Sequence, residues 1–232
     1  MATTESAQAP AKGGLAVTVA DLRCRYRRDG LRTLLAKIAG RLRAAVYSES
    51  EVVVLVKDLR DVTDMSSSEA LRVEDLDASH LGALYEFNRK RCNSGADARK
   101  AAWLERGYRG YVGYVGEELV GYYWWVDREI EPHHPDMASY GLDIDLQEGE
   151  AYGFDFYLLD EHRGGGNSME FLHKVESGLR DLGYDTLWGY VVAGNKPARW
   201  LYGLRGYKPV RKVAARHLLT RRSAFRVTVA GE

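Results

Sequence analysis

Residues 151–159 form an apolar, aromatic run that ends in Asp160-Glu161-His162-Arg163-Gly164-Gly165-Gly166-Asn167-Ser168. Directly after it Met169, Leu172, Val175, Leu179 and Leu182 recur at the spacing of one helix face. A strand that runs through a glycine triplet into a helix is a unit of mixed α/β sheets. The chain repeats the pattern with a strand at 186–192, a helix at about 196–205 and final strands, so the order is β-α-β-α-β. Taken alone, the turn is either a flexible connection or, on physical grounds, an anion site. The first N–H groups of a helix have no intrahelical partner, the dipole is positive there, and glycines let a phosphate approach the backbone. It is neither of two familiar nucleotide loops. The Gly-Lys-Ser/Thr of a Walker loop is absent, because Asn167 follows Gly166, and the third glycine of G-x-G-x-x-G is replaced by Met169.

A second segment lies about thirty residues on. Asn195 suits an N-cap, Pro197 the first turn and Gly206 a left-handed end, so both ends of a short helix are marked. Asn195, Ala198 and Tyr202 share one face of it, along which a ligand fits; taken alone, that face equally suits an ordinary half-buried tyrosine.

Together the two segments, Arg163-x-x-Gly166-x-Ser168 and Asn195-x-x-Ala198-x-x-x-Tyr202-x-x-x-Gly206-Tyr207, resemble the GNAT superfamily of acyl-CoA N-acyltransferases. Its signatures are Arg/Gln-x-x-Gly-x-Gly/Ala after a central strand and Asn-x-x-Ala-x-x-x-Tyr-x-x-x-Gly-Phe/Tyr further on. The first departs at its last position, where Ser168 stands for glycine or alanine; the second matches throughout. The resemblance covers residues 71–213 in element order, and its specific part is 158–207. It implies an α/β fold with a GNAT-type mixed, mostly antiparallel twisted sheet flanked by helices, and acetyl-CoA as co-substrate with no metal. By the same resemblance the Leu158 backbone would meet the acyl carbonyl and pantetheine arm. Residues Arg163, Gly164, Gly165, Gly166, Asn167 and Ser168 would cradle the pyrophosphate, Asn195 would hydrogen-bond the pantetheine, and the Tyr202 hydroxyl would lie near the thioester sulfur.

The chemistry needs a proton acceptor, because an ammonium near pKa ~10.4 must become neutral before it attacks a thioester. Asp155 and Glu150, on or beside the central strand, are the candidates, with Glu161 nearer the phosphate end. Strand alternation sets Asp155 and Glu150 on opposite faces, and the sequence does not choose between them. Residues 127–150 hold Asp127, Glu129, Glu131, Asp136, Asp143, Asp145, Glu148 and Glu150 against Arg128. Such a connection is either a solvated loop or a negative field that draws in a cationic amine. His133-His134 within it lacks the partner pattern of a zinc site.

The N-terminal part reads differently. Residues 1–14 read as a disordered tail without the apolar stretch of a secretory signal. Residues 15–68 read as an extension: a basic amphipathic helix at about 30–47, then the strand-forming run Val52-Val53-Val54-Leu55-Val56. Met65-Ser66-Ser67-Ser68 marks the boundary of a main domain at 69–232. The helix is a solvated face or a surface for membrane or RNA. With 33 Lys+Arg against 33 Asp+Glu, the net charge of zero argues against a chain whose main work is gripping nucleic acid. Cys24 and Cys92 form neither a metal spacing nor a disulfide framework and read as reduced thiols. No stretch approaches ~18 apolar residues, so a soluble, cytoplasmic protein is expected. The expected function is acetyl transfer to a small-molecule primary amine; the rivals are a noncatalytic acyl-CoA-binding module and an enzyme acting on protein or RNA.

Overall fold

The computed structural model describes residues 19–63, 70–163, 166–218 and 221–227. The elements in chain order are α1 (Val19–Val46), β1 (Tyr47–Asp58), β2 (Leu71–Asp75), α2 (Leu81–Lys90), α3 (Asp97–Glu105), β3 (Arg109–Val115) and β4 (Glu118–Asp127). After them come α4 (Pro135–Tyr140), β5 (Glu150–Leu158), α5 (Asn167–Asp181), β6 (Thr186–Val192), α6 (Lys196–Leu204), β7 (Lys208–Leu218) and β8 (Arg221–Val227). The eight strands among the described residues form one sheet in the order β2-β3-β4-β5-β6-β1-β7-β8. β5 and β6 are parallel, and every other neighbouring pair is antiparallel.

Alternation along the strands divides the core in two. Val52, Val54, Tyr122, Trp124 and Val126 pack on one face with Leu84 and Phe87 of α2, Trp103 of α3 and Met137 of α4. Val53, Leu55, Tyr123 and Trp125 pack on the other with Phe171, Leu172 and Val175 of α5 and Leu201 of α6. Both faces are covered, which is why residues 52–56 of β1 and 119–126 of β4 are almost continuously apolar rather than alternating.

The segment set apart as an N-terminal extension contributes an internal strand. β1 lies between β6 and β7, with Val52 opposite Val192 on one side and Val213 on the other, so the division at 68/69 runs through a single sheet. The composition of 64–69 suggested the boundary, and that segment, like the tail at 1–14, lies outside the described residues. α1 is two helical segments that meet at a non-helical Gly30 (φ 77°, ψ 164°); the first, from Val19, was not indicated, and the second is the basic helix its spacing indicated at about 30–47. Leu31 and Leu35 on it are exposed.

The cysteines also need correction. Cys24 and Cys92 are joined in a disulfide across 68 positions, with Cα atoms 5.6 Å apart. Spacing could not show this, because the pairing depends on α1 docking against the turn after α2. There the Arg25 guanidinium donates to the Cys92 carbonyl (2.8 and 3.0 Å), and the Ser94 N–H and Oγ donate to Asp21 (3.0 and 2.8 Å).

Candidate active site

β5 and β6 are paired only from Glu150↔Thr186 to Tyr152↔Trp188, although both strands continue beyond that point. The cause is local to β5. Its register against β4 shifts between Tyr122 and Trp124, and Asp155 has a left-handed backbone (φ 47°). One extra residue in a strand bends it and re-aims a side chain. Gly153 just before the bulge is obligatory, since a Cβ there would lie 1.7 Å from the Tyr123 hydroxyl. The strands therefore part, exposing the edge of β5 toward β6.

At the open end α5 begins after Gly166, whose φ of 89° favours glycine and whose surroundings are open. Among the described residues no side chain caps this helix start. Arg163 does not point freely into the cradle: its Nε donates to the Leu158 carbonyl (2.9 Å), and its guanidinium pairs with Asp160 (2.8 Å). Asn167 donates to the His162 carbonyl (3.1 Å) and the Ser168 hydroxyl to that of Arg163 (3.4 Å), bracing the turn. Gly164 and Gly165 lie outside the described residues. On α6 the Asn195 side chain accepts the Ala198 N–H (3.2 Å), the N-cap its sequence indicated. Tyr202, seven positions on, packs its ring 4.8 Å from that of Tyr207. Burial pushes the Tyr202 phenol above its usual range, so it keeps its proton at neutral pH.

The structure separates the two candidate bases. The Glu150 side chain accepts the Gln147 N–H (3.0 Å) and closes the turn into β5. At ~3.3 Å per residue it lies about 16 Å along the strand from Asp155. Asp155 sits on the bulge with one oxygen on the Nζ of Lys100 and the other accepting from the Tyr122 hydroxyl (3.4 Å). Around this carboxylate stand groups that sequence reasoning missed. Arg91 donates to Tyr122 Oη (2.9 Å) and stacks on Tyr157 at 3.3 Å, while Tyr190 donates to Asp136 (3.4 Å). His134 caps α4 by accepting the Asp136 N–H (3.2 Å), and burial holds its imidazole down at about 4. One signal for Lys100 was present in the sequence: it shares a helix face with Trp103 and Leu104, a lysine on an otherwise apolar stripe.

The acidic connection is mostly tied into structure. Asp127 accepts from the Glu129 and Ile130 N–H groups (3.0 and 2.9 Å) and from Tyr184, Asp143 pairs with Arg211 (3.4 Å), and Asp145 accepts from Gln147 (3.2 Å). Among the described residues no cluster of three His, Cys, Asp or Glu side chains could hold a metal, and no helix is long and apolar enough to cross a membrane.

No family model matches the chain. It is 28% identical over 102 residues to the uncharacterized N-acetyltransferase YycN of Bacillus subtilis (strain 168), a match covering 44% of this chain and 56% of the relative, so the chain spans about half the length of that relative. Among solved structures it superposes on the GCN5-related glucosamine N-acetyltransferase region of a fungal multidomain GH3 β-N-acetylglucosaminidase. There the TM-score is 0.55 at 16% identity, over 79% of this chain and 22% of that one. A functionally unknown conserved protein from Staphylococcus epidermidis ATCC 12228 gives a TM-score of 0.54 at 12% identity, over 79% of this chain and 65% of that one.

Among the described residues the mixed sheet parts at its one parallel pair, with an uncapped helix start at the open end, and this is the fold shared with those two structures. With both signature segments in their places on that sheet, the chain has a GNAT-type fold.

Proposed function

We propose that this protein is an N-acetyltransferase that moves the acetyl group of acetyl-CoA directly onto the primary amine of a small molecule. The observation that carries the reading is the arrangement at the parting of β5 and β6. Asp155 reaches in from the face of α2 and α3, Tyr202 belongs to the face of α5 and α6, and the bare start of α5 lies at the open end. The uncapped N–H groups and the open space beside Gly166 fit a pyrophosphate. Arg163, tied to Leu158 and Asp160, shapes the turn and adds positive charge beside it.

In this reading the acceptor enters as an ammonium, meets Asp155 and loses its proton there. The neutral amine attacks the thioester carbonyl, the C–S bond breaks, and the thiolate takes a proton from Tyr202. Held above its usual range, the phenol carries its proton at neutral pH and passes it to sulfur as the attacking nitrogen gives up its second proton to replace it. A cytoplasmic location belongs to the same proposal. Thiol labelling of protein drawn from cells reads the state of the Cys24–Cys92 bond there.

The test is calorimetric binding of CoA followed by thiol release from acetyl-CoA over a panel of primary amines. Binding with release in the presence of an amine supports the proposal. Binding without release over the whole panel points to a noncatalytic acyl-CoA module instead, and release only with protein or RNA points to a macromolecular acceptor.

A further inference from the structure

Lys100 has no task in the transfer just described, yet its side chain is fully buried. An ammonium out of water is costly unless it is compensated. Here the compensation is Asp155 together with the faces of Tyr122, Trp103 and Trp124, whose ring centres lie 4.0, 4.5 and 5.3 Å from Nζ. Packing alone does not require the charge, since an apolar side chain of similar volume commonly replaces a buried ion pair without loss of stability. The pair is also lopsided. The Asp155 side chain is 28% exposed and Lys100 is 0% exposed, so whatever enters the cleft meets the carboxylate with the lysine behind it.

Resting on the acetyl-transfer reading, we infer that Lys100 holds the proton taken from the acceptor: the incoming ammonium binds the open side of Asp155, and its proton passes through that carboxylate to Nζ once Nζ has released its own to solvent. Lys100 acts through Asp155 and does not touch the acceptor. The freed amine then forms the N–C bond as the C–S bond breaks. The second proton of the nitrogen balances the one that ends on sulfur, and Lys100 returns its own to solvent between turnovers.

The surroundings suit this role. Arg91 and Arg99 bring positive charge near Nζ from the end of α2 and from α3, while Tyr122 of β4 adds a neutral hydroxyl. Asp136, His134 and Tyr190 face Asp155 from α4 and β6. Burial, opposed in part by Asp155, lowers the lysine to about 8. An acceptor near ~10.4 then gives its proton to a group about 2.4 pH units below it, against about 6.5 for an ordinary carboxylate near ~3.9.

The experiment follows thiol release from acetyl-CoA with tyramine, spermidine and glucosamine as probes, from about pH 6 to about pH 10. It compares wild type, Lys100→Arg and Lys100→Met, each checked for folding by urea denaturation. In parallel, [¹³Cε]lysine NMR follows Lys100 itself, assigned by its loss in Lys100→Met. In wild type kcat/KM should rise about tenfold per pH unit to a plateau at the midpoint of the Lys100 resonance. Lys100→Arg keeps the charge but cannot give up the proton, and should lose about 100-fold or more in kcat with KM little changed. Lys100→Met should move the rising limb away from that midpoint. A purely structural lysine predicts instead an active arginine variant and one limb shared by all three proteins, and that result overturns the inference. So does a Lys100 resonance that stays protonated above about pH 10. A folded, CoA-binding wild type that releases no thiol with any of the three amines removes the transfer reading and this inference with it; an active wild type with unchanged variants removes this inference alone.

Discussion

Tyr202 is a half-buried and His134 a buried titratable ring, and the structure gives them opposite consequences. For Tyr202 burial protects the proton that the departing thiolate needs. Tyr202→Phe keeps the ring and its contact with Tyr207, so urea unfolding should barely change. The chemical step should slow by ~10²- to 10⁴-fold, read in single-turnover kinetics so that slow product release cannot hide the defect. A chemical step within about twofold of the parent would make Tyr202 a packing residue. For His134 burial lowers the folded pKa to about 4 from 6.5. The unfolded chain takes up a proton as pH falls through 6.5 and the folded one does not until about 4. Stability is therefore lost across that window, by up to about 3 kcal/mol at ~1.36 per unit. His134→Asn keeps an N-cap for α4 without a titrating ring, so the stability gap between pH 7 and pH 4.5 should shrink in the variant. Of these residues the sequence made only Tyr202 legible, because it belongs to a spaced motif. His134, Arg91 and Lys100 reach the Asp155 cluster from three separate elements, and no local spacing records where folding brings them.

At the scale of elements, α5 with its turn is the part the sequence described best. Glycines, strand end and helix stripe are contiguous there, so local rules suffice, and the observed start at Asn167 follows Gly166 directly. The bulge in β5 was not legible. It depends on how β4 and β5 accommodate Tyr123 beneath Gly153, and strict alternation, which assumes no bulge, could not foresee it. The α5 start allows binding to be separated from folding. A Cβ at Gly166 meets nothing within 4 Å, so replacement costs only the left-handed backbone, roughly 1–2 kcal/mol. Gly166→Glu adds to that a carboxylate where the pyrophosphate is proposed to bind. Urea denaturation should show a folded, modestly destabilised domain, while calorimetry should show CoA binding lost. Gly166→Ala, with the backbone cost but no charge, should retain most of it. Equal CoA affinity in the glutamate variant would remove the donor site from this helix.

For the whole molecule the deciding relation is between chain order and sheet order. β1 comes early in the described chain yet fills the place between β6 and β7, which come late. The sequence showed that Val52 to Val56 make a strand; it could not show that the strand is internal, because antiparallel partners leave no periodic trace at such separation. Two truncations make the relation measurable. Removing residues 1–46 takes away α1 and with it the Cys24–Cys92 bond, a closure typically worth 2–4 kcal/mol, but leaves all eight strands. That protein should fold cooperatively at reduced denaturant midpoint. Removing residues 1–58 takes out β1 as well. Two rows of backbone donors and acceptors, on β6 and β7, then lose their partners, and Val52 and Val54, both fully buried, leave a gap in one core while Val53 and Leu55 leave one in the other. Sliding β7 onto β6 would have to carry β8 with it, because the two are paired from Lys212↔Val227 to Leu218↔Arg221. The second truncation should therefore lose the cooperative urea transition and the far-ultraviolet signature of the sheet. A 59–232 fragment that unfolds cooperatively near the midpoint of the 47–232 fragment would make β1 a dispensable addition after all.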